Sequence, residues 1–299
     1  MTQFLLLSAA LLAIATVVRR SPAADAIANS LNWWILYIAL PALALELLPT
    51  LHFSGQLWFV VVAQWAMFLL SVVLVRWLGA RLQWRRERIG AVIMLASLSN
   101  TAFIGLPLLD ALRGSAAVSL GLLADQLGCF LALTIGGAVV GAAYSGERAD
   151  VAGIARKVLL YPAFIAAIVG LALGPLGGWP AAVPPVLHKL SQTLSPLALF
   201  SVGLRLRLHA RPDERGAVAL TLAWKLVLMP AIVLACGHAF GVQGLPLTVG
   251  TLQSAMPAMF VAVIIIRRHG LESDLGDTAL SLGMLLSFLT VPAWSLLLP

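Results

Sequence analysis

The side chains best placed to handle a polar solute lie inside stretches otherwise made of hydrocarbon. Ser97-Leu98-Ser99-Asn100-Thr101 and the Gly105-Leu106-Pro107 step interrupt the apolar run from Ile89 to Leu112, and Gln253-Ser254-Ala255-Met256-Pro257 interrupts a second run. Pro107 removes one helical hydrogen bond, clashes with the carbonyl four residues earlier and biases Leu106 away from helical torsions. Non-helical backbone at membrane depth survives only when buried in protein or lining a watery cavity. Pro107 and Pro257 each suit the first position of a second half-helix, where a missing N–H costs nothing. The partial positive charge at two such N-termini favours an anionic group between them. The carbonyl ends of the first halves reach the same place, which leaves a cation open as well.

Asn100, Thr101, Gly105 and Pro107 on one break, and Gln253, Ser254, Met256 and Pro257 on the other, are therefore the candidate substrate-binding residues. The same pattern also suits ordinary kinked helices whose small polar side chains bond to neighbours. Lys225, Asp125 and Gln126 lie inside two further apolar stretches. An ionised group at the bilayer centre costs about 2.5–3.5 kcal/mol, so each charge needs a partner, water or a neutral form. Lys225 could offset a substrate carboxylate and Asp125-Gln126 could titrate during transport; a Lys225–Asp125 ion pair is the structural alternative. Glu46, close to the end of its stretch, is expected to reach the interface.

The composition excludes an ordinary soluble domain: 61% of residues are hydrophobic, 10% are charged and mean hydropathy is +0.99, against about 25% charged in globular proteins. Ten spans are predicted, at about 3–18, 31–49, 56–78, 88–111, 116–144, 158–175, 184–205, 216–239, 245–267 and 275–297. Sixteen of the 19 Lys and Arg residues, from Arg19 and Arg20 to Arg148, Arg207 and Arg268, fall in or beside the loops after odd-numbered spans. The positive-inside rule places those loops in the cytoplasm and both termini outside. The +7 charge therefore reports topology rather than nucleic-acid binding. Trp33, Trp34, Trp58, Trp77, Trp84, Trp179 and Trp294 fall mostly near span ends, as interfacial anchors would.

Pro41-Ala-Leu-Ala-Leu matches Pro196-Leu-Ala-Leu-Phe at an offset of 155, which maps Asn100 onto Ala255. Two five-span repeats, 1–145 and 158–299, joined by a linker at 146–157, must then be inverted, a secondary-transporter signature. Cys129 and Cys236 imply no disulfide framework, and His52, His188, His209, His238 and His269 lack metal-ligand spacing. No cofactor, no phosphate-binding glycine loop and no nucleophile–base set is present, which argues against an ATP-driven pump and an enzyme.

The run Leu98 to Leu109 followed by Arg113-Gly114 resembles the first crossover signature of the auxin efflux carrier family. That family includes plant PIN-FORMED carriers and bacterial malonate or malate permeases. Ser254-Ala255-Met256-Pro257, Arg268-His269-Gly270, Asp125 to Gly128 and Lys225 to Pro230 are similar to its bacterial members. The resemblance implies an all-α, ten-helix elevator fold like that of bile-acid symporters and Na+/H+ antiporters. Spans 1, 2, 6 and 7 would be the scaffold and 3–5 and 8–10 the transport domain. It also implies a substrate at the helix 4/9 crossing, a homodimer through the scaffold and residence in the bacterial inner membrane. The short central segment and Ala255 favour small organic anions such as dicarboxylates over auxin, with proton or sodium coupling left open. The alternative is a cation/proton exchanger using Asp125.

Overall fold

A computed structural model describes residues 2–51, 55–146, 150–205 and 211–298. Arg148, Arg207, His52 and His209 lie outside the described residues. The chain forms helices α1 (Thr2–Val18), α2 (Ala24–Thr50), α3 (Trp58–Arg81), α4 (Arg86–Ser97) and α5 (Leu106–Arg113). It continues through α6 (Ser115–Ser145), α7 (Val151–Leu159), α8 (Pro162–Leu176), α9 (Pro184–Ser191) and α10 (Leu194–Leu204). The last four are α11 (Arg215–Ala239), α12 (Gly244–Ser254), α13 (Phe260–Arg268) and α14 (Ser273–Leu296). Among the described residues there is no strand, only one isolated bridge.

Each of the ten predicted intervals contains helix, and intervals four, six, seven and nine are divided. By length and composition α2, α3, α6, α11 and α14 can cross a membrane, and the bent pair α7–α8 would make a sixth. The predicted linker carries a helix of its own, α7. Backbone in hydrocarbon must satisfy its own polar groups, and a helix does so within one segment.

The chain divides into two compact units. The first comprises Met1–Ser54, Ala102–Gln126 and Leu159–Leu206. Within it α1 packs on α10 around Ala15, Ala28 and Leu204, and α8 packs on α2 at Gly170, where a Cβ would come within 2.8 Å of the Ala44 carbonyl oxygen. Direct polar ties replace the absent hydrophobic drive between helices in lipid: Ser201 Oγ donates to Asn32 Oδ1 at 2.6 Å and Trp34 Nε1 to Thr193 Oγ1 at 3.0 Å. Trp179 likewise donates to the Leu45 carbonyl. Trp33, Trp58 and Trp77 are exposed, and the indole N–H groups of Trp34 and Trp179 are spent on hydrogen bonds within the unit.

The second unit comprises Gly55–Thr101, Leu127–Val158 and Arg207–Pro299. Phe59 and Ala63 of α3 meet Val233, Val242 and Leu247 in one cluster. At one end a polar cleft of about 740 Å³ lies between segments 82–88, 211–214 and 271–274. Arg88 donates there to Glu272 at 2.7 Å and Asp213 at 3.1 Å, and Arg211 pairs with Asp274. Glu214, 4% exposed, lines the same cleft with its Oε2 unbonded. Burial pushes its carboxyl above the usual carboxylate range. A group whose folded-state pKa is raised stabilises the fold below its unfolded value and loses that contribution as pH rises through the folded value. Glu214→Gln should therefore raise the melting temperature more at about pH 8 than at about pH 5. Equal gains at both pH values in a thermal-unfolding series would show that the carboxyl is not held protonated.

Candidate functional site

Both predicted breaks exist, and in the second unit their chain segments pair. Residues 98–100 leave α4 in extended form and residues 257–259 do the same between α12 and α13. Ser99 and Ala258 form an antiparallel bridge, flanked by Asn100 N–H donating to the Pro257 carbonyl at 2.8 Å and Met259 N–H to the Leu98 carbonyl at 3.0 Å. Pro257 cannot return a bond to Asn100, so the ladder closes after one bond on that side. Gly283 of α14 backs this crossing, with a Cβ there falling 3.3 Å from Pro257 Cβ.

Pro107 is the second residue of α5, in the first turn as expected of a second half-helix, but Pro257 does not open α13. Pro257 lies in the extended crossing itself, and α13 begins only at Phe260. Leu106 is helical, and a wide π turn at Thr101–Gly105 leads straight into α5, so the break precedes Pro107. The same arrangement recurs at Ile35–Ala39 before Pro41 and at Trp224–Leu228 before Pro230. A π turn widens the ring just upstream, which relieves the clash that a proline makes with the carbonyl four residues earlier. At Pro230 that carbonyl belongs to Leu226, and Trp294 Nε1 supplies the missing donor at 2.9 Å.

Lys225 sits on the Trp224–Leu228 turn and is 1% exposed. Its Nζ donates to Ser99 Oγ at 2.7 Å and approaches Met67 Sδ at 3.8 Å. Among the described residues its polar partners are therefore a hydroxyl and a thioether, not a carboxylate. Ser99 is held further by the Cys129 thiol donating to its carbonyl at 3.0 Å. Behind it Trp224 Nε1 donates to Ser71 Oγ, whose own proton goes to the Met67 carbonyl at 2.7 Å, with the Ala96 carbonyl in the last turn of α4 3.2 Å away.

Seven of the predicted residues belong to this unit. Asn100, Thr101 and Pro257 are on or beside the crossing, and Ser254 and Met256 lie on the chain leading into it. Gln253 Nε2 reaches the Thr101 carbonyl at 3.5 Å, and Lys225 touches the crossing through Ser99. The other four lie in the first unit. Gly105 and Pro107 are on the helix after the break, while buried Asp125 accepts from Gln126 Nε2 at 2.6 Å on a π turn. Ser99 and Ser71 were missed as site residues; a serine in an apolar stretch gives no sign of which long-range donor it will meet.

A family model described as "Membrane transport protein" matches residues 6–151 and 148–295. The chain belongs to that family. It is a membrane transporter of the auxin efflux carrier group, an integral membrane protein. It is 23% identical to an "Uncharacterized transporter" of Methanocaldococcus jannaschii over 279 residues, covering 91% of this chain and 90% of that one. A second "Uncharacterized transporter", from Methanothermobacter thermautotrophicus, is 24% identical over 204 residues, 68% and 66% of the two chains. "Auxin efflux carrier component 1" of Arabidopsis thaliana is 27% identical over 139 residues, 44% of this chain and 22% of the plant one.

Proposed function

We propose that this transporter is a secondary carrier of small organic anions, such as dicarboxylates, that bind at the crossing of the two broken helices. The observation that carries this reading is Lys225: a lysine side chain buried against the crossing, with a hydroxyl and a thioether as its neighbours. An ammonium in such a low-dielectric site is stabilised by an anionic visitor. Plant relatives named as auxin efflux carriers are consistent with organic solutes. In this reading the ten intervals form two inverted repeats and the crossing moves in an elevator stroke against scaffold helices that also hold a homodimer. The protein resides in the bacterial inner membrane with both termini outside. One net charge moved across 100 mV is worth about 2.3 kcal/mol, so efflux of an anion needs no chemical co-substrate.

Reconstituted protein on a solid-supported membrane tests this directly. Concentration jumps of malonate, malate, lactate or indole-acetate should produce charge movement that disappears in Asn100→Ala. Currents evoked only by sodium or a pH jump, surviving Asn100→Ala but lost in Asp125→Asn, would replace this reading with a cation/proton exchanger working at the Asp125–Gln126 pair.

A further inference from the structure

A second polar constellation lies in the first unit, at a cavity that Leu106, between Gly105 and Pro107, also lines. The last turns of α2 and α5, the start of α6 and the adjoining ends of α9 and α10 enclose a cavity of about 460 Å³, lined in part by Glu46, Asp110, Ser115, His188, Ser191 and Gln192. Glu46, expected at the interface, has a carboxylate 14% exposed and engaged at both oxygens, beside a His188 side chain that is 57% exposed. Ser191 Oγ donates to Oε2 at 2.5 Å and His188 Nδ1 faces Oε1 at 2.6 Å. The other ring nitrogen of His188, Nε2, faces Gln192 Nε2 at 2.8 Å.

This arrangement fits two protonation states of one imidazole. With the Gln192 amide donating to Nε2, the single imidazole proton sits on Nδ1 and is donated to Glu46, which is the neutral ring. Turning that amide by half a revolution presents its oxygen instead, and Nε2 can then carry a second proton and donate it. One side-chain rotation therefore accompanies uptake of one proton, with both ring nitrogens bonded before and after. The charged groups around the ring are Glu46 from α2, Asp110 from α5 and, on its own helix, exposed Lys189; the part of α2 packed on α9 also carries Tyr37. The cavity wall itself holds two carboxylates and neither lysine nor arginine. An anion near it meets less repulsion once the ring is charged.

We propose that this cavity is a proton-binding site on the outer side of the transporter, in which His188 takes up a proton between Glu46 and Gln192, and that its occupancy sets how readily an organic anion passes. The second half rests on the anion-carrier reading. Imidazole is the side chain suited to such exchange between about pH 5 and 8.

Histidine-labelled full-length protein in nanodiscs tests the site by NMR, with His188→Gln assigning the resonance. The Glu46 carboxylate lies at hydrogen-bond distance from Nδ1, so replacing it in Glu46→Gln should change the His188 titration curve. Superimposable curves would overturn the site. In proteoliposomes, malonate currents should change with external pH, and His188→Gln should flatten that profile; an unchanged profile would overturn the role in transport. If neither malonate nor the other anions move in the wild type, the carrier reading fails, and the NMR comparison still decides whether the proton site exists.

Discussion

Lys225→Met should abolish organic-anion currents while leaving the protein folded. Met matches the length of the lysine stem, so the space beside Ser99 and Met67 stays filled. What disappears is the ammonium. A hydrogen bond to a charged group contributes about 1.5–3 kcal/mol, which corresponds to roughly a 10- to 150-fold loss of affinity for an anion that bonds to Lys225. Stability should move the other way. Removing a buried charge that lacks a carboxylate partner relieves a desolvation cost, so the melting temperature should hold or rise. Higher stability with lost current separates a binding group from a structural one, because a structural Lys225 would lower both. Malonate currents at wild-type concentration dependence would remove Lys225 from the site.

The positions of the breaks were legible because a cluster such as Ser97 to Thr101 has no place in lipid-facing helix, and the same held for Gln253 to Pro257. Which residue does the breaking was not. Pro107 carries every local mark of a helix breaker, yet the π turn at Thr101–Gly105 absorbs it, and no single-residue preference announces that turn. Helical periodicity reports one element at a time. The Lys225–Ser99 bond spans 126 residues and the Glu46–His188 pair spans 142, so neither could be read from spacing. Lys225 could still be singled out, since a charge within an apolar span is conspicuous by itself. Glu46 was passed over because near a span end the interface offers a charged group an easier solution than a partner does.

Met259→Pro tests whether the crossing itself, rather than the residues near it, is the working core. Met259 has φ −76° and ψ 135°, inside the range that proline imposes. The preceding Ala258 is already extended in the bridge, which is what a following proline demands. The substitution therefore asks little of the backbone and deletes one thing, the N–H that donates to the Leu98 carbonyl at 3.0 Å. Leu98 is fully buried, so its carbonyl loses that donor where water cannot replace it, at a cost of about 1–3 kcal/mol. The proline ring also occupies the place of the lost hydrogen and pushes the two segments apart. Of the two main-chain bonds flanking the bridge only that from Asn100 to Pro257 then remains, and Ser99 no longer presents its hydroxyl to Lys225 in a fixed place. Met259→Leu keeps the N–H and much of the side-chain volume, so it should transport normally. Met259→Pro should melt at lower temperature and carry no anion current. If it carries current like the leucine variant, the bridge is scaffolding around a site that lies elsewhere. If only the proline variant is silent, the two hydrogen bonds across the break are part of what an anion needs in order to be held.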